Sequence, residues 1–142
     1  MKNILYLFIF FSTTCTYAQS VSVSKLMKIL KTQNLTDISS ELKELGFIYR
    51  GKRQQDGFSI MPYTKKNTIE TTEELVVSVN DELFSLLYKV NPNFFNAYKS
   101  KLLTDDFSYS YEANGNRYYE NNNMRIGLNE KAYIISLFTK LN

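Results

Sequence analysis

Histidine and tryptophan are missing from all 142 residues, and the one cysteine is Cys15. Without an imidazole, neither a Ser–His–Asp nor a Cys–His nucleophile can be assembled, and zinc sites built from Cys and His lose their ligands. The glycines number five, scattered at 46, 51, 57, 115 and 127, so no glycine-rich loop is available to cradle a phosphate. No EF-hand-like run of acidic ligands occurs either. Long hydrophobic runs are also lacking, and nothing approaches the roughly 20 apolar residues needed to span a bilayer as a helix. The sequence therefore calls for no cofactor and no metal.

The longest apolar run is Ile4–Phe11, preceded by Lys2 and Asn3 and followed by a polar stretch to Thr16-Tyr17-Ala18. A charged start, a short hydrophobic region and a small-x-small end make a secretory signal peptide, residues 1–18, cleaved near Ala18. Removing it takes 18 of 142 residues and leaves 124, enough for one self-sufficient domain, residues 19–142. Cys15 would leave with the signal, and the residues before it lack the pattern of a lipoprotein anchor. The expectation is a disulfide-free protein, periplasmic or secreted.

Charge of either sign is not in large excess. Lys plus Arg total 17 and Asp plus Glu 14; loss of Lys2 leaves 16 against 14, or +2. A nucleic-acid binder carries a stronger basic footprint, so no nucleic-acid partner is expected.

Helical spacing first occurs in Val21–Thr32, through Val23, Leu26, Ile29 and Leu30, with Ser22 or Ser24 as cap. A second helix carries Ile38, Leu42 and Leu45, capped by Thr36 or Asp37 and stopped at Gly46. Phe47–Lys52 and Phe58–Tyr63 pattern as a hairpin joined through Arg53–Gly57, with Pro62 ending the second strand or marking an edge. Thr64–Glu73 has no period and reads as a loop, whereas Leu75–Val79 is a β-branched strand. Leu83–Val90 fits either a helix or a strand; Asn80-Asp81 before it and Pro92 after it favour the strand.

Asn91 and Pro92 then open a third helix, with Phe94, Phe95, Tyr98 and Leu102 on one face. Its central place in the chain makes it the expected helix across which the sheet packs. Phe107, Tyr109 and Tyr111 alternate with polar residues, Asn114-Gly115 is a strong hairpin signal, and Met124, Ile126 and Leu128 alternate again. Tyr133–Phe138 is apolar on both faces, as befits an inner strand.

The progression Leu42–Tyr49, helix into strand, is echoed by Leu102–Tyr109. Two helix-then-meander units predict an α+β fold: one antiparallel sheet of about 6–8 strands with two or three helices on one face. In architecture this resembles small exported bacterial inhibitor proteins made of duplicated helix-and-sheet units.

Carboxylates at 73, 74, 105, 106 and 112 could in principle serve glycoside hydrolysis, but neighbours along a strand or helix do not face each other. Tyr109, Tyr111, Tyr118 and Tyr119 offer rigid rings with polar tips, a composition suited to binding surfaces. Arg50 and Lys52 would share a strand face and could meet an anionic partner there. These six residues are the candidate binding site. The expected function is non-catalytic: an exported binding protein that inhibits or neutralises a protein partner, as an immunity protein does. The alternative is an envelope protein that contacts carbohydrate or peptidoglycan, with weak hydrolase activity.

Overall fold

The computed structural model describes residues 21–67 and 72–141, which form three helices on one side of a nine-stranded antiparallel sheet. The expected signal peptide, Cys15 included, lies outside the described residues. The helices are α1 (Val23–Thr32), α2 (Leu35–Glu44) and α3 (Pro92–Leu102). The strands are β1 (Ile48–Tyr49), β2 (Arg53–Gln55), β3 (Phe58–Lys66), β4 (Thr72–Val79), β5 (Leu83–Lys89), β6 (Ser108–Ala113), β7 (Asn116–Glu120), β8 (Met124–Asn129) and β9 (Ile134–Lys140). The spatial order is β1-β3-β4-β5-β9-β8-β7-β6, with β2 also paired to β3. A meander through β5 and a second one, β6 to β9, thus join edge to edge where β5 meets β9. Each meander follows helix, the duplicated order expected from the sequence.

Local chemistry accounts for the helix ends. The Ser22 hydroxyl caps α1 by accepting from the Lys25 N–H at 3.3 Å. In α2 the cap is Asn34, not Thr36 or Asp37: its Oδ1 accepts from the N–H groups of both those residues, at 3.0 and 3.3 Å. Gly46, at φ +86°, ends that helix; Gly46 N–H donates to Lys43 O and Phe47 N–H to Leu42 O, each at 2.9 Å. Asn91 and Pro92 begin α3 as expected, with Asn91 Oδ1 accepting from Asn93 N–H.

Leu26, Ile29 and Leu30 of α1, Ile38 and Leu42 of α2, and Phe95 and Leu102 of α3 are buried against the sheet. Each such side chain contributes roughly 1.5–3 kcal/mol before chain entropy is counted. The helix nearest the sheet's centre is α1, whose backbone approaches β5 and β9 as well as α2 and α3. This corrects the expectation that α3 holds that place. The buried stripe of α1 is aliphatic, Leu26, Ile29 and Leu30, whereas α3 buries Phe95 and Tyr98 beside Leu102.

Several strand limits differ from those expected. The first hairpin turns on two residues, Asp56 (φ 50°) and Gly57 (φ +81°), so Arg53–Gln55 pairs with Phe58–Ile60 instead of looping. Splitting that arm into β1 and β2 raises the strand number above eight. β3 runs straight through Pro62, whose carbonyl accepts from Arg50 N–H at 2.9 Å. A residue's N–H and C=O leave a strand on the same side, so proline's missing donor faces the gap between β1 and β2. The presumed loop Thr64–Glu73 shrinks, because β3 continues to Lys66 and β4 starts at Thr72; residues 68–71 lie outside the described residues. Leu83–Lys89 is a strand, β5, with the turn at Asp81-Glu82 closed by Asn80, one residue later than the sequence suggests.

Candidate binding surface

Strand side chains alternate between two faces, and the register assigns every one of them. Met61, Val77, Leu86, Leu137 and Ile126 lie in one cross-strand row beneath the helices, all at most 5% exposed. The next row, Pro62, Val76, Leu87, Ser136, Gly127 and Tyr118, points the other way. No described element covers that second face. It is nevertheless apolar along much of its length: Ile60 and Phe138 lie in the row on one side of Leu87, and Ile134 on the other. Leu87 at its centre is 36% exposed.

The tyrosines divide between the two faces. Tyr109 pairs with Tyr119 but Tyr111 with Tyr118, so Ser110 is an extra residue, a β-bulge. Tyr109 and Tyr119 meet edge to face at 5.9 Å on the helix-bearing side, where Tyr119 packs against the core. Tyr111 and Tyr118 stack at 4.6 Å on the open side, and Tyr118 also tilts against Phe138 at 6.3 Å. The strict alternation of Tyr109 and Tyr111 in the sequence is therefore broken in space. The tight hairpin behind them is the expected one, with Asn114 and Gly115 both at positive φ.

Gly127 gives the Tyr118 ring its seat, since a Cβ there would stand 2.9 Å from Tyr118 Cε1. The Arg125 guanidinium lies 5.6 Å from the Tyr111 ring centre and also hydrogen-bonds Glu120. Burial pushes the Tyr118 hydroxyl pKa up, with Tyr111 adding to the rise and Arg125 opposing it. The result on the open face is a fixed aromatic corner joined to an aliphatic strip.

Arg50 and Lys52 are not on a strand. They flank Gly51, at φ +91°, in the break between β1 and β2, and both are exposed. Arg50 donates through Nε to Thr64 Oγ1 at 2.7 Å, on the open-face side of β3. β1 is at the opposite end of the sheet from β7 and β6, so six to seven strand spacings of about 4.8 Å, roughly 29–34 Å, separate these cations from the tyrosines. The six candidate residues thus do not form one site. Tyr111, Tyr118 and Arg50 border the open face, whereas Tyr109 and Tyr119 lie behind it.

The carboxylates are dispersed as well. Glu73 is 5% exposed beneath the helices, accepting from the Tyr88 hydroxyl and the Asn67 amide, both at 2.6 Å. Glu74 is on the open face, 3.9 Å from Lys89. Asp106 accepts from Thr104 and Asn121, which lowers its pKa, and Glu112 pairs with Arg117 at 3.5 Å. No group of three or more potential acidic, His or Cys metal ligands occurs among the described residues. A shallow groove of about 400 Å³ lies between α2 and the β1–β3 edge, lined by Leu35, Ser39, Lys43, Tyr49, Met61 and Tyr63.

Sequence reasoning missed Leu87, Ile60, Phe138 and Gly127. A signal for two of them was present: Leu86-Leu87 and Tyr133–Phe138, like Leu75-Val76-Val77 beside them, are apolar at both parities. Strands that are apolar on both faces in a sheet with one layer of helices leave the second face sticky. No helix among the described residues is long and apolar enough to cross a membrane. The chain matches no family model, no curated protein and no solved structure.

Proposed function

We propose that this chain is an exported, non-catalytic binding protein that grips a protein partner through the open face of its sheet and thereby inhibits or neutralises it. The observation carrying this is the strip around Leu87 that no described element covers, apolar and ending in the Tyr111–Tyr118 stack. Monomeric proteins rarely leave a large contiguous apolar patch bare, and aromatic rings locked by neighbours lose little entropy on binding. Export rests on the leader pattern of residues 1–18, with residence in the periplasm or outside the cell and Gln19 as the new N-terminus.

Affinity capture from envelope extract with the purified chain tests this, Leu87→Asp serving as the matched control. One stoichiometric protein, retained by the natural chain and lost with the control, is the expected result. Equal recovery on both would remove the open face from the account, and turnover of any substrate by the purified chain would remove the non-catalytic reading. N-terminal sequencing is expected to begin at Gln19.

Envelope glycan is the second reading, supported by Tyr109, a residue 59% exposed on β6. Its discriminating result is glycan-array binding that disappears on Tyr109→Ala and survives Leu87→Asp.

A further inference from the structure

The charges around the open face select among partners. Outward strand positions carry Arg53, Lys66, Lys89, Arg125 and Lys140, but only two carboxylates, Glu74 and Glu120. Both carboxylates are already engaged, Glu74 with Lys89 and Glu120 with Arg125. Arg53, Lys66 and Lys140 make no ion pair among the described residues, and all three are exposed. They stand at separate corners: on β2, at the end of β3 and at the end of β9. Between them Ile60, Pro62, Val76, Leu87 and Phe138 make an apolar strip interrupted by Ser78, Ser85 and Ser136, and the row toward Lys66 carries Thr64 and the Glu74–Lys89 pair.

Resting on the binding-protein reading above, we infer that the open face receives a protein surface whose apolar centre is ringed by Asp and Glu. An apolar core inside a charged rim is the anatomy of a protein–protein interface, and the excess of five outward strand cations over two carboxylates steers acidic groups toward it, the exposed Asp56, Asp81 and Glu82 belonging to the turns along one edge. The size is adequate. Eight strands at about 4.8 Å and about six residues at 3.3 Å make a face of roughly 760 Å², near the ~800 Å² each partner contributes to a standard interface.

A second copy of this chain is disfavoured, because face-to-face docking would bring the outward strand cations of two copies together. An anionic membrane would need protruding anchors, yet Leu87, the most exposed apolar residue of the central row, is only 36% exposed. A single-stranded nucleic acid would need ring faces free for stacking, and the Tyr118 face is taken by Tyr111.

The test pans a displayed random-peptide library against the purified chain, with depletion on Leu87→Asp. Recovered peptides are expected to combine Asp and Glu with aromatic or branched aliphatic residues. Their affinity should fall at least about fivefold in a variant combining Arg53→Glu, Lys66→Glu and Lys140→Glu, and should fall as salt rises. The three exposed positions leave folding intact, which far-UV circular dichroism verifies. Peptides without acidic enrichment, or peptides indifferent to both variants, overturn the inference. So does self-association through the face, or face-dependent binding of phosphatidylglycerol vesicles or an oligo-dT probe. Substrate turnover by the chain would defeat the non-catalytic reading while leaving the peptide result untouched, so the two failures are distinguishable.

Discussion

Replacing Gly127 with Ala should be destabilising, and removal of one tyrosine should reverse the sign. The added methyl would lie 2.9 Å from Tyr118 Cε1 and 3.4 Å from Ser136 Cβ. The ring cannot simply lift, because Tyr111 stacks on it at 4.6 Å and Phe138 flanks it at 6.3 Å. Inserting a methylene-sized group into packed surroundings costs about 1–3 kcal/mol. Replacing a strand glycine by alanine returns about 0.5–1 kcal/mol of backbone entropy. The net expectation is a loss of about 1–2 kcal/mol. In a Tyr118→Ala background the clash with the ring is gone and the 3.4 Å approach to Ser136 Cβ is ordinary contact, so Gly127→Ala should stabilise by about 0.5–1 kcal/mol. Urea unfolding of the four proteins, followed by circular dichroism, closes the double-mutant cycle. Agreement of the two Gly127→Ala effects within about 0.5 kcal/mol would refute the seating of the ring on the glycine.

Other perturbations address the rest of the frame. Phe95, 3% exposed and edge-on to Tyr133 at 5.8 Å, should cost about 3–5 kcal/mol as Phe95→Ala, read as a shift in the urea midpoint. Asn34→Ala leaves two N–H groups of α2 without their acceptor and should cost about 1 kcal/mol, whereas Thr36→Ala should cost less. Burial of Tyr98, with the Glu73 carboxylate nearby, pushes its pKa from 10.0 up to about 12. Between those values the unfolded chain releases the proton and the folded chain keeps it, so stability falls with rising pH, by about 2–3 kcal/mol at most. Tyr98→Phe should flatten that part of the profile. Glu41 accepts from Lys25 at 2.6 Å, which holds its pKa below the usual 4.5. Its contribution is present above that value and is lost as pH falls through the lowered one, so Glu41→Gln should reduce acid sensitivity in a thermal melt.

What could be read from the chain was local chemistry. Asn91-Pro92, Gly46 and Asn114-Gly115 act within a few residues, and each one does what its neighbours dictate. β5 was ambiguous by periodicity, and the break imposed by Pro92 decided it correctly. Asp56-Gly57 carried the same kind of signal as Asn114-Gly115, and treating Arg53–Gly57 as loop passed over it. Pro62 misled because an edge-strand rule was applied where the partner, not the strand, is interrupted. The Ser110 bulge leaves no trace in β6 alone, since the sequence alternates cleanly; it exists only against the register of β7. The division of the tyrosines therefore depended on a long-range pairing. So did the identity of the open face, because nothing in a strand apolar at both parities says which side the helices take.

Titration calorimetry of the captured partner against the natural chain and Leu87→Asp, at low and high salt, tests the central claim most directly. The account predicts tight binding weakened by salt and reduced more than about tenfold by the aspartate, with both proteins melting alike. Equal affinity of the two proteins at both salt concentrations would contradict it.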